Sequence, residues 1–143
     1  MLSDVPTMNQ LQVVISQAAA PAFVLGAVAS FLSVLLSHMN RVVDHARAIN
    51  DLPNDDPKKT HLNADLFQLR RRAVVLHRAI YWAVGSGIVT CLLMIVAFAS
   101  AWLGFRHEPG AAILFVLSLS LFTASLFAFA REIGIALRRA KAD

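Results

Sequence analysis

The chain has 143 residues, 57% of them hydrophobic, with a mean hydropathy of +0.61. Apolar content this high, gathered into blocks, excludes an ordinary soluble domain. The net charge of +4 does not indicate nucleic-acid binding, because the basic residues are grouped beside the apolar blocks, and the single cysteine, Cys91, excludes an internal disulfide.

Residues 5–40, 79–105 and 109–130 contain no Asp, Glu, Lys or Arg. About 20 apolar residues, rising 1.5 Å each, cross a hydrocarbon layer of roughly 30 Å, so each stretch is long enough for one span. The expected fold is all-α, one membrane domain with three transmembrane helices, the first two extended into a cytoplasmic helical hairpin. Eight of the 13 basic residues fall between Arg41 and Arg78, four follow Ala130, and Arg106 stands alone on the other side. That asymmetry predicts a multi-pass membrane protein, N-terminus out and C-terminus in, touching anionic headgroups on the cytoplasmic side. The first residues lack a basic n-region and a small-residue cleavage site, so the first span is expected to remain as an anchor.

Residues 5–17 read as an outer amphipathic segment. Thr7 can cap a helix and Gln10, three residues on, completes a capping box. Pro21 removes one backbone bond, to Gln17, and predicts a kink or fresh helix start near the outer end of span one, residues 18–40. No breaker follows until Asn50, and Asp51-Leu-Pro-Asn-Asp-Asp-Pro57 is a turn cluster. A second helix is expected from about Thr60–Asn63 to about Gly104. In the cytoplasmic segment, 41–78, Leu62, Leu66, Leu69, Ala73, Leu76 and Ile80 form an alternating four–three row, matched by Val42, Ala46 and Ile49. These predict an antiparallel hairpin projecting about 20–25 Å.

In span two, residues 79–105, Trp82 and Trp102 are a bilayer thickness apart, and with Tyr81 they read as membrane-interface anchors. Cys91 reads as a small packing residue. Arg106-His-Glu-Pro-Gly110 reads as a tight outer turn into span three, residues 109–130, and the tail, 131–143, is expected to fray through Arg138 and Arg139.

Small residues recur every fourth position: Ala22, Gly26 and Ser30; Ala79, Ala83, Gly87 and Cys91; Ser120, Ala124 and Ala128. In lipid such stripes mark helix contacts, and packing within the three-helix bundle is the expected use. At the inner boundary Asp44 stands three residues from both Arg41 and Arg47. The first reading of this cluster is a solvated interfacial face; the sharper alternative is that Asp44 and Glu132 pair across helices with Arg41, Arg78 or Arg131 and fix the bundle at that boundary. Ser16, Gln17, Ser30, Ser33, Ser118, Thr123 and Ser125 are candidate pore-lining positions in an oligomer.

No pattern for a metal, nucleotide or nucleophile appears, and no ionisable residue lies at mid-membrane depth. The expectation is no cofactor and no enzyme activity. It is a homo-oligomeric scaffold, or an accessory subunit bound to another membrane protein, with a small oligomeric ion or solute channel as the alternative.

Four motifs add a family. Ala20-Pro-Ala-Phe23, Asn40-Arg-Val-Val-Asp-His-Ala-Arg47, Arg71-Arg-Ala-Val-Val-Leu-His-Arg-Ala-Ile80 and Arg131-Glu-Ile133 together resemble a bacterial family of three-span membrane proteins, domain of unknown function 2721. The resemblance runs from about Ala20 to Leu137. It departs at His45, where the family usually carries Arg, so a fixed charge becomes titratable. The family implies the three-span topology and no activity.

Overall fold

The computed structural model describes residues 7–53, 57–103 and 108–141. They form three long helices: α1 (Met8–Asn50), α2 (Pro57–Leu103) and α3 (Glu108–Ala140). Each contains a stretch long and apolar enough to cross a membrane. At 1.5 Å per residue, the 43 residues of α1 and the 47 of α2 reach about 65 and 70 Å, more than twice the hydrocarbon thickness.

Local chemistry explains the ends. Thr7 precedes α1 as its cap, and its N–H donates to Gln10 Oε1 at 3.2 Å, one arm of the expected capping box. At the far end, the Asp51 N–H donates to Arg47 O at 3.0 Å, and Lys59 Nζ reaches across to Leu52 O at 2.8 Å. Three boundaries differ from expectation. Pro21 neither ends nor restarts a helix: α1 runs unbroken through it, and Pro21 is buried, so segment 8–17 is continuous with the span. Neighbouring backbone bonds carry the helix past the one that proline removes. Helix α2 starts at Pro57 rather than at Thr60–Asn63, because proline at the first position has the right φ and sacrifices no bond. Helix α3 continues to Ala140, through the part of the tail expected to fray at Arg138 and Arg139. Residues 54–56 and 104–107 of the two expected turns lie outside the described residues.

Helix α2 is central. It packs along both α1 and α3, which scarcely touch one another. Buried positions repeat every seven residues. On α1 they are Pro21, Val28, Leu35 and Ile49; on α3 they are Ser118, Ser125 and Glu132. Helix α2, with two neighbours, buries Leu76, Ala79, Ala83, Ser86, Thr90 and Leu93 in alternating threes and fours. This is the period of near-aligned, left-handed helix packing. The expected row Leu62, Leu66, Leu69, Ala73 lies half-buried along α2, but beyond Leu76 the row passes through Ala79, with Ile80 half-buried beside it.

The core gathers Leu35, Leu76, Ala79 and Ala83, with Phe31, Met39, Val42 and Phe129 packed around them. Rings bridge the sparse α1–α3 side: Phe31 meets Phe122 and Phe129 edge-on at 5.7 and 5.5 Å, and His38 meets Phe129 at 5.6 Å. Such pairs prefer edge-to-face geometry.

The small-residue stripes divide. Ala83 is fully buried, Ala128 packs on the core, and a Cβ built on Gly87 would meet Val28 Cγ1 at 3.6 Å, so α2 faces α1 there. Ala22, Gly26 and Ser30 are exposed, as are Ala124 and Cys91, and none of these serves the intramolecular packing expected of it. The reason is the period: a four-residue step drifts around the helix, whereas the packed seam holds at seven. Tyr81, Trp82 and Trp102 face outward, Trp102 with 89% exposure, as anchors must.

These contacts predict opposite outcomes for two neighbouring substitutions. Ala83→Leu is expected to cost about 1–3 kcal/mol by overpacking. Gly87→Ala has ordinary van der Waals room and stays within about 1 kcal/mol of wild type. Unfolding of the purified chain by detergent titration distinguishes them.

Candidate functional site

Helices α2 and α3 are joined by polar contacts at three levels, one every seven residues. Highest is a hydroxyl cluster. Ser86 Oγ donates to Ser118 O at 2.9 Å and Ser118 Oγ donates to Ser86 O at 3.1 Å. Thr90 Oγ1 lies 2.8 Å from Ser86 O and in a short contact with Ser118 Oγ. One assignment gives every proton an acceptor: Thr90 to Ser118 Oγ, Ser118 to Ser86 O, Ser86 to Ser118 O. One heptad down, Ser125 Oγ donates to Ala79 O at 2.6 Å. One more heptad down, Arg72 Nε meets Glu132 Oε1 at 3.2 Å. Seven forward on α2 is seven back on α3, about 10.5 Å per level. The four hydroxyl side chains are fully buried, and among the described residues every buried side-chain nitrogen or oxygen has a hydrogen-bond partner.

The lowest level opens into a cleft of about 290 Å³ where all three helices converge. Helix α1 contributes His38, Arg41 and His45; α2 contributes Arg72; α3 contributes Glu132, and Val42, Leu69, Ile133 and Ala136 complete the walls. Glu132 is the buried member, its side chain 9% exposed, while Arg72 keeps 31%.

Of the six residues expected in an inner-boundary ion-pair network, the structure gives one a partner, and a different one. Glu132 crosses to α2 but meets Arg72, not Arg41, Arg78 or Arg131. The seven-residue register sets Arg72 opposite Glu132. Arg78 lies more than a turn further along α2, exposed beside Tyr81 and Trp82, and Arg131 is exposed next to Glu132. Asp44, Arg41 and Arg47 are all exposed, and among the described residues no ion pair joins them. Arg41 does line the cleft. Arg72, Ser86 and Thr90 were not singled out by sequence reasoning. The signal that finds them is hydroxyl or charge at seven-residue spacing: Arg72 and Ser86 two heptads apart on α2, against Ser118, Ser125 and Glu132 on α3.

The candidate pore-lining residues also sort. Ser118 and Ser125 are buried between α2 and α3, and Thr123 bonds back to Leu119 O at 2.8 Å. Ser16, Gln17, Ser30 and Ser33 are exposed on α1. Among the described residues no three His, Cys, Asp or Glu side chains gather as a metal site.

The charged level gives a prediction of non-additivity. Arg72→Met leaves a buried carboxylate alone and is expected to cost about 2–3 kcal/mol, below the range for fully buried pairs because Arg72 is part-exposed. Arg72→Met with Glu132→Met is expected to recover most of that loss. A double variant as unstable as the single one would mean the pair is not what holds this level. Ser118→Ala, which leaves Ser86 and Thr90 other acceptors, costs about 1 kcal/mol.

No curated protein and no solved structure matches the chain. One family does, across residues 18–142, from within α1 to beyond the end of α3. With three candidate membrane spans and a match over nearly its whole length, the chain belongs to the family described as "Protein of unknown function (DUF2721)".

Proposed function

We propose that this chain is a non-enzymatic, homo-oligomeric scaffold, or an accessory subunit of a membrane complex, in the bacterial inner membrane. The observation that carries the reading is the outer face of α1. Ala19, Ala22, Phe23, Gly26, Ala27 and Ser30 form a shallow groove turned away from α2 and α3. Between 11% and 22% of each span's most apolar window is buried inside the chain. In lipid, apolar surface alone drives no association, and small residues matter because they let backbones approach closely. A small-residue face unused by its own bundle suits a second helix.

In this reading the N-terminus lies outside and the C-terminus inside, from the distribution of Lys and Arg. The ends of α1 and α2 beyond Asn40 and before Arg78 then stand in the cytoplasm as a helical hairpin. The cytoplasmic side meets anionic headgroups, and nucleic acid plays no part. The channel alternative loses two of its polar residues, since Ser118 and Ser125 spend their hydroxyls between α2 and α3.

The test is disulfide cross-linking in native membranes. Gly26→Cys in a Cys91→Ser background is expected to form a covalent dimer on mild oxidation. Phe127→Cys, on the outward face of α3, is expected not to. Native mass spectra of the wild-type chain should show a homo-oligomer or a fixed partner. A monomer with no cross-link at Gly26 would sink the proposal.

A further inference from the structure

The three-helix cleft has a composition that the scaffold reading leaves unused. Its charged groups are Arg41, Arg72 and Glu132. Glu132 is engaged with Arg72 at 3.2 Å, which offsets one positive charge and holds that guanidinium against the helix interface. The charge of Arg41 is left over, exposed on the α1 wall with no ion-pair partner among the described residues. His38 and His45 add a ring N–H each, and the His38 ring is held edge-on by Phe129 at 5.6 Å. One net positive charge, surrounded by N–H donors from two helices, matches an oxyanion bearing one negative charge. The volume of about 290 Å³ is near the lower edge of small-ligand sites, enough for a headgroup and too small for a whole lipid. The remaining wall is apolar: Val42, Leu69, Ile133 and Ala136.

Depth narrows the source. On α1 and α3 the charge-free stretches end at Asn40 and Ala130, one residue before Arg41 and two before Glu132. A ligand there sits where headgroups meet hydrocarbon, and basic pockets between transmembrane helices bind lipid head groups.

We propose that this cleft is a binding site for a singly charged phosphodiester, the class of an anionic phospholipid headgroup, with Arg41, His38 and His45 as its donors beside a preset Arg72. The proposal deepens the inner-leaflet lipid contact of the reading above and rests on it for the choice of leaflet. It differs from general attraction to a basic surface in requiring a defined stoichiometry and a shaped cavity.

The test is native mass spectrometry of the full-length chain in mild detergent, titrated with dioleoyl phosphatidylglycerol. Orientation plays no part in detergent, so failure here leaves the scaffold reading standing, and failed cross-linking at Gly26 leaves this one standing. The expected result is one retained lipid per chain. Arg41→Ala with His45→Ala removes one positive charge and two side-chain donors and leaves the Arg72–Glu132 pair in place; it should weaken binding about tenfold or more. Ala136→Phe keeps every charge but fills the cleft, and should weaken binding similarly. Arg47→Gln and Arg138→Gln, which remove basic residues outside the cleft, should stay within about twofold of wild type. Inorganic phosphate at millimolar concentration distinguishes the sources: displacement of the lipid assigns the site to free phosphate as well, and no displacement assigns it to the lipid headgroup. Either result supports an oxyanion site. Equal losses in the Arg47 or Arg138 variants, unchanged binding in Ala136→Phe, or no one-to-one complex would overturn the proposal.

Discussion

The register of α2 against α3 governs the rest of the molecule. Hydroxyl and charged groups on the two helices meet at intervals of seven residues: Ser86 with Ser118, the Ala79 carbonyl with Ser125, Arg72 with Glu132. In hydrocarbon there is no water to receive the hydroxyls of the two upper levels if they separate. Each contact contributes modestly, on the order of 1 kcal/mol for an interhelical hydrogen bond in a membrane. Their common spacing lets them act together. Once α3 is fixed, the Leu35, Leu76, Ala79 and Ala83 core has its third wall, supplied by Ala128 and Phe129.

Helix α1 is attached differently. It lies along α2 through aliphatic and small residues, Val28 near Gly87 and Leu35 in the core, and meets α3 mainly through rings. No hydroxyl ladder joins it to its neighbours among the described residues. The bundle is therefore a polar-tied pair with a third helix packed on one edge, and the cleft lies where that edge and the pair's charged level coincide.

Much of this fold was legible in the sequence. Charge-free stretches located all three spans, and the Thr7–Gln10 spacing gave the start of α1. The row Leu62, Leu66, Leu69, Ala73 and Leu76 marked the inward side of α2. Continuity was harder to read: Pro21 looks like a break in sequence, yet adjacent backbone bonds carry a helix past one missing donor. The site was only partly legible. Searching for small residues at every fourth position favoured Ala22, Gly26, Ser30 and Ala124, which point outward, because that step does not follow a seven-residue seam. Glu132 was identifiable as a boundary charge. Its partner was not, since Arg41, Arg78 and Arg131 were the candidates and only the register brings in Arg72, and hydroxyls in a span usually bond back to their own helix, as Ser120 and Thr123 do.

A ladder with a constant step is ambiguous by one step, and the ion pair removes the ambiguity. If α3 slid by seven residues in one direction, Ser118 and Ser125 would still find backbone carbonyls, at Ala79 and Arg72. Glu132 would then stand opposite Asp65, two like charges at one level. In the other direction Glu132 would face Ala79 in the apolar layer with no cation opposite, at a cost of several kcal/mol. The serine-to-carbonyl bonds thus tolerate a one-step slip at the loss of the Ser86–Ser118–Thr90 cluster, and the carboxylate penalises a slip in either direction further. The pair's value is frame selection during assembly more than strength in the finished bundle.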